Sequence, residues 1–508
     1  MNGAAIGEPG TRPVPRGPLA TSPGAREIAR CPRDERAAKR AGGRAERPGP
    51  CVRGRGRAPV SLGLILALLP SGVEARPIPT TLIVPPEKHT LGIHRVTNVH
   101  LKMFTGVRNR FRRPEGIACA KLIAQDDPKT TADDDELTAY GVNSGDPSII
   151  YNDSMTSVKT WRGEMRQPRG VAADATGRVV VADTGNHRVL FLRNVGGKLA
   201  LERTVGKRGA GPGELDGPTG VALDSRGRVY VTDTANHRVQ VFDPLGERLW
   251  SFGARGTAPG QLVSPTGIAV VDRDEPWSYR KRDLAFVIDR GGRRIQSFAQ
   301  EGRLVSAFED TTRGGMSFAW LALDYHNNVY VTDPRACRIH KFDENLRHIV
   351  SFGERGTGDA QFLAPTGIAI WRRYGQVFVA ESTGAQYYWV GTDVLGLAAR
   401  PAEFPSGSAQ QIQYALTEPS EVTVAALDER GAVAREIVSG RRQEAGAVRV
   451  AWNGRGAAGA PLAPGRYRIR VDALPTYSSR KHFHREVTTL IKILSAPAGG
   501  ADGGAESP

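Results

Sequence analysis

Through residues 113–494, apolar and polar positions alternate with a period of two, in short runs separated by Gly-, Pro-, Asn- and Asp-rich turns. That pattern predicts half-buried β-strands and no long helix. The stretch 220–253 shows the unit: GVALD, VYVTD, HRVQVFD and RLWSFG, four strand-like segments in a row. Copies of the unit begin at Gln167, Gly217, Ser264, Phe318 and Ala364, with a weaker one from Arg113. Acids anchor five of them at Asp183, Asp233, Asp289, Asp333 and Glu381, separated by 50, 56, 44 and 48 residues. A four-stranded unit cannot bury both of its faces alone, so the copies must stack around an axis as blades of a propeller.

The recurring letters have mechanical explanations. Pro218 and Gly220 open the first strand, Pro fixing φ and Gly letting backbones crowd near the axis. Asp233 and Asn236 fall in a turn, where short polar side chains bond nearby amides. Arg188, Arg238, Arg294 and Arg338 follow at a fixed offset and are expected to reach a neighbouring blade. The set Asp183, Asn186, Arg188, Asp233, Asn236, Arg238, Asp289, Arg294, Asp333 and Arg338 therefore reads as a fold signature, not an active site.

This pattern, Pro-x-Gly-hydrophobic-Ala and then Asp-x-x-Asn-x-Arg, closely resembles the NHL repeat. The resemblance runs over about 97–395 and implies a six-bladed propeller, matching the six copies. It is strong at DTGNHR (183–188) and DTANHR (233–238), and weaker where Gly292 and Ala336 replace Asn. In the last copy Glu381 and Gln386 replace Asp and Arg. The segment VTNVHLKMFTG (96–106) is expected to be an outer strand that closes the ring by completing the final blade.

From about Pro401 the repeat stops. Alternating segments at 412–438, 447–473 and 486–494, parted by EPSE, DERG and NGRG turns, predict an antiparallel sandwich over 401–494. The order Tyr-x-Leu, Val-x-Val, Asp-x-x-Gly, Trp-Asn-Gly and Pro-Gly-x-Tyr resembles the immunoglobulin-like domain of flagellar hook-capping proteins, with Asn453 where Asp is usual. That resemblance implies a bacterial origin and a surface or sorting role. The expected fold is all-β: a six-bladed β-propeller followed by an immunoglobulin-like β-sandwich, then a disordered Gly/Ala-rich tail at 495–508.

Composition matters most at the N-terminus. Residues 1–57 are rich in Arg, Pro, Gly and Ala, too poor in large apolar side chains to order themselves. VSLGLILALLP (60–70), with Val73 and Ala75 at the small-residue positions, completes a secretory signal peptide over 58–75. The apolar run is too short for a transmembrane span. A disordered extension ahead of a signal peptide is unusual, and translation beginning near Val52 would explain it. Residues 76–96 read as a linker. Residues 1–75 hold 13 basic against 6 acidic side chains, a net +7 of the chain's +16, leaving a mildly basic +9 for the rest. Cys119 and Cys337, remaining after Cys31 and Cys51 of the leader, show neither disulfide nor zinc spacing.

Candidate chemistry is sparse. No His lies on the innermost strands, where the resemblance to metal-dependent propeller enzymes would place ligands. No cofactor is expected, although oxygen-ligated calcium in the channel leaves no sequence signature. His187 and His237 occupy the repeat's ordinary His position, and His482 and His484 are expected on one face of a strand. Two insertions should leave from one mouth: acidic IAQDDPKTTADDDE (123–136) and basic DRDEPWSYRKRD (272–283). Trp277, Tyr279, Arg280, Lys281 and Arg282 of the latter are the candidate binding residues, since aromatics beside Arg and Lys are typical of binding hot spots. The opposite mouth carries Lys207, Arg208, Arg255, Arg293 and Arg335. It lacks aromatics to stack bases, and export removes RNA, so nucleic acid is not the expected partner. The reading is an exported monomer, periplasmic or extracellular, that binds a protein, peptide or glycan of the envelope and catalyses nothing. The alternative is a lyase or hydrolase dependent on a channel metal.

Overall fold

The computed structural model describes residues 79–90, 93–106, 109–125, 137–154, 157–312 and 315–495. The leader, the signal-peptide segment, the C-terminal tail and most of the acidic insertion lie outside these. Six antiparallel sheets, strands a to d from the axis outward, follow one another. Blade 1 comprises Pro114–Lys121, Leu137–Asn143, Ser148–Ser154 and Ser157–Trp161. Blades 2 and 3 repeat the meander from Val171 to Val205 and from Pro218 to Phe252. Blades 4 and 5 run from Ile268 to Glu309 and from Leu321 to Phe352. Innermost strands contact one another in cyclic order, with Pro365–Trp371 of blade 6 against Pro114–Lys121 of blade 1. Gly220 shows why the first strand needs Gly. A Cβ there would lie 2.2 Å from the Thr266 carbonyl oxygen of the next blade. At the closing seam a Cβ on Gly367 would lie 2.3 Å from the Glu115 oxygen.

Blade 6 is finished by the N-terminal segment. Its own strands are Pro365–Trp371, Gln376–Glu381 and Gly384–Val390. The fourth position is filled by Arg95–Thr97, paired with Gly384–Gln386, and by Leu82–Ile83, paired with Trp389–Val390. Closure by residues ahead of blade 1 is as expected, but the details differ. The stretch 76–96 supplies strands instead of a plain linker, and Asn98–Thr105 is a helix. The His100 ring nitrogen accepts the Thr97 amide at 3.2 Å, and Leu101 is buried, so a capped start and one buried face turn the chain away from the sheet.

The repeat acid is a buried acceptor. Asp233 takes the Asp216 amide at 2.7 Å, two residues before Pro218, and so holds the incoming loop against its own blade. Arg238 donates to Asp233 at 2.8 Å and to the carbonyls of Gly211 and Glu214 at 2.9 Å. Asp183 with Arg188, and Asp289 with Arg294, do likewise. The arginines thus clamp the loop arriving from the preceding blade and do not reach into the neighbouring sheet. Asn186 and Asn236 donate to the same carboxylates. In blade 5, Arg338 is exposed and His340 faces Asp333 instead, at 3.4 Å. Blade 1 was barely legible because Asn143 takes the acid's place, accepting the Arg112 amide at 2.6 Å. His187 and His237, at φ 55° and 57°, accept the amides of Gly217 and Ser264 and so staple each blade to the next.

The sandwich begins at Val394, earlier than Pro401, because Val394–Arg400 pairs with Gln410–Leu416. Gly446–Trp452 completes that sheet, and the facing sheet orders Glu403–Pro405, Arg485–Leu494, Gly465–Pro475, Ser420–Leu427 and Val433–Gln443. Phe404, Tyr414, Trp452, Ile469 and Ile491 fill the core between them. Cys119 and Cys337 are free thiols.

Candidate functional site

Strands a and c of every blade end at one mouth, and the sandwich is seated there over blades 4 to 6. Tyr477 packs among Tyr330, Val377 and Val390, and its hydroxyl oxygen accepts the Tyr325 amide at 2.6 Å. Ser479 donates to the Val390 carbonyl at 2.7 Å. Lys341 of blade 5 is fully buried and ion-pairs with Glu418 of the sandwich, with Asp324 at 3.8 Å. Blades 2 and 3 carry Phe191 and Val241 at the position of Lys341, so this cation answers the sandwich and not the repeat. Burial pushes the Glu418 carboxyl up against the pull of Lys341, and pushes His326 down to about 4. His326 meets Thr476 at 3.0 Å.

The basic insertion lies at this mouth, and its side chains are engaged within the protein. Arg280 pairs with Glu344 at 2.6 Å and approaches Glu444 of the sandwich at 3.9 Å. Arg282 also faces Glu344, at 3.6 Å, and Lys281 donates to the Glu275 carbonyl at 2.5 Å. Tyr279, 47% exposed, lies under the Arg442 guanidinium of the sandwich at 4.8 Å. Trp277 is half-buried beneath Arg373, at 4.6 Å. Arg372 beside it reaches from blade 6 across the axis to the Val270 carbonyl of blade 4, at 2.8 Å, past the intervening blade 5. The five candidates are thus brought together beside the sandwich, with Tyr279, Arg280, Lys281 and Arg282 exposed and Trp277 half-buried. Sequence reasoning missed both Arg372, in the turn after Pro365–Trp371, and Lys341, whose charge in the middle of a strand is a usable signal.

The opposite mouth is formed by the loops entering each blade and by the turns between strands b and c. Three entering loops share one build. Parallel bridges Arg208–Leu215, Arg255–Leu262 and Arg355–Phe362 close them, and Leu215, Leu262 and Phe362 are fully buried. Glu214, Gln261 and Gln361 cap them by accepting the amides of Gly211, Ala258 and Gly358. Arg208, Arg255 and Arg355 consequently stand exposed at equivalent points of rigid loops. Lys207 and Arg208 face Glu214 and Asp216 at 3.4 and 3.8 Å, exposed pairs worth little. Arg293 donates to the Thr312 carbonyl at 3.0 Å. Arg255, Arg335 and Arg355 are exposed, and none of them forms an ion pair among the described residues.

His482 and His484 do not share a strand face. They lie in the turn before Arg485–Leu494, His482 meeting Trp389 at a tilt with ring centroids 5.6 Å apart and His484 beside Asp472 and Glu486. That last trio is the one grouping of three potential metal ligands among the described residues, and it lies on the sandwich, away from the channel.

The geometry defines a propeller–sandwich protein: all-β, six-bladed, with an immunoglobulin-like module. Two family matches agree with it. The chain carries NHL repeats, matched at residues 165–190 and 215–242, and a FlgD Ig-like domain, matched at 402–476. No curated protein matches the chain. Solved structures similar to it include virginiamycin B lyase from Staphylococcus aureus, at 13% identity and TM-score 0.36 over 50% of this chain and 76% of that one. A gluconolactonase from Xanthomonas campestris aligns at 16% identity and TM-score 0.40, over 62% of this chain and 99% of that one. PorZ from Porphyromonas gingivalis aligns at 12% and 0.39, over 74% and 53%.

Proposed function

We propose that the chain is an exported, non-enzymatic binding protein of the bacterial envelope. Its partner, an acidic protein, peptide or glycan, docks on the mouth opposite the sandwich. The observation carrying this reading is the seating of the sandwich. It engages Tyr279 and Arg280 of the 272–283 insertion with Arg442 and Glu444, while Arg255, Arg335 and Arg355 stand exposed at the opposite mouth. Three guanidiniums without acidic partners among the described residues, Arg255 and Arg355 on loops with buried anchors and Arg335 on a turn between strands b and c, form a surface for carboxylates, sulfates or phosphates. The signal-peptide pattern at 58–75 supports export. Among the described residues no helix is long and apolar enough to cross a membrane.

The test is affinity capture from envelope extract with the full chain and with an Arg255→Glu/Arg335→Glu/Arg355→Glu variant. A specific component retained by the parent in a salt-sensitive way, and lost from the variant, is the expected result. Equal retention by both, with loss on Tyr279→Ala, would move the site back to the sandwich side. Stoichiometric metal in the channel of purified protein would instead favour the lyase or hydrolase reading.

A further inference from the structure

Five of the six seams between blades are packed with buried apolar side chains, from Tyr140 and Val181 at the first to Tyr330 and Val379 at the fifth. Among the described residues, no such cluster fills the seam between blades 6 and 1. A cavity of about 380 Å³ lies there instead. Its cause is written in the repeat. On strand b, the two positions facing the preceding blade are Val179 and Val181, Val229 and Val231, Ala285 and Val287, Val329 and Val331, and Val377 and Val379. In blade 1 the same positions are Ala139 and Gly141. On the facing wall, Ala385 stands where other blades have Val189, Val239, Ile295 and Ile339.

Backbone geometry does not require Gly141. Its φ is not positive, and an added Cβ would meet only the Ile150 carbonyl oxygen, at 3.7 Å. The small residues leave space and serve no turn. The space follows strand b from Leu137 to Asn143, roughly 20 Å at ~3.4 Å per residue. Ile117, Ile150, Phe378 and Tyr387 wall it, and Met103 and Phe104 of the short helix border its outer side. A half-open cleft of this size, lined mostly by apolar side chains, leaves that surface against water unless an apolar ligand covers it. We infer that the seam between blades 6 and 1 is a binding site for a single hydrocarbon chain, the acyl tail of a free fatty acid or of a lipid, with its head group left in solvent. This inference does not depend on the partner of the open mouth.

The test titrates the full chain with dodecanoate by calorimetry and native mass spectrometry, and separately incubates it with phosphatidylglycerol vesicles before counting bound lipid. One saturable equivalent from either source is expected, with a raised melting temperature and a negative heat-capacity change. Gly141→Val and Ala385→Ile restore the residues of the other blades. Each should weaken binding at least tenfold while melting no lower than the parent, whereas Arg255→Glu should leave dodecanoate binding unchanged. Absence of a bound chain from both sources, or unweakened affinity in both filling variants, would overturn the inference.

Discussion

Arg95, on the strand that precedes blade 1, forms an ion pair with Glu381 of blade 6, 286 residues away. It also donates to the Gln361 carbonyl at 2.8 Å, as Arg294 donates to the Gln261 carbonyl at 2.7 Å. The turn after Glu381 is two residues shorter than its counterparts, so Gln386 aligns with Gln240 and Gln296 and not with the repeat arginine. The missing guanidinium arrives from the closing strand. Arg95→Ala should therefore cost about 3–5 kcal/mol in urea unfolding, because buried Glu381 is left without its cation. A cost under about 1 kcal/mol would mean that closure rests on the strand pairing alone.

Two strand glycines should respond oppositely. Gly220→Ala drives a methyl against the Thr266 carbonyl and should cost about 2–3 kcal/mol. Gly141→Ala meets only the Ile150 carbonyl oxygen, at an ordinary contact distance of 3.7 Å, and should be neutral or stabilising. Thermal melts of the two variants compare them directly.

Lys341 and Glu418 tie blade 5 to the sandwich inside a buried interface. Lys341→Ala should destabilise by about 3–5 kcal/mol by stranding Glu418, whereas Lys341→Met/Glu418→Leu should recover most of the loss. If the double variant is no better than the single, the pair is needed for more than mutual neutralisation. A chain truncated before Val394 would expose Lys341 and Tyr330, and it should melt lower than the parent instead of behaving as a free-standing propeller.

His326 predicts an acid limb in the stability profile. Burial keeps its imidazole neutral down to about 4 instead of the ordinary 6.5, so the unfolded chain binds the proton first. Stability is thus lost as the pH falls from 6.5 to 4, by about 3 kcal/mol. Asp324 opposes the shift, while Lys341, Arg442 and Arg280 reinforce it. Glu418 acts with the opposite sign: burial raises its carboxyl against the pull of Lys341, so its contribution falls away as the pH rises. Urea midpoints of the parent and His326→Asn at pH 7 and pH 4 should converge or cross toward acid. Parallel profiles would remove His326 from the account.

The sequence by itself determined what is local and repeated. A period of two, turn residues at fixed offsets and a recurring acid were enough for six blades and a sandwich, because those features depend on backbone geometry within one hairpin at a time. Tertiary structure decided everything that one copy supplies to another. Arg95 is an unremarked residue of an apparent linker until it meets Glu381, and Asn143 looks like a lost signature until the Arg112 amide reaches it. A loop sequence does not reveal what packs on it: Arg373 of blade 6 lies over Trp277, and Arg442 of the sandwich, more than a hundred residues later, lies over Tyr279. Contacts of this kind depend on where the ring closes and where the second domain sits. Those are set by packing between distant segments, for which alternation along the chain holds no record.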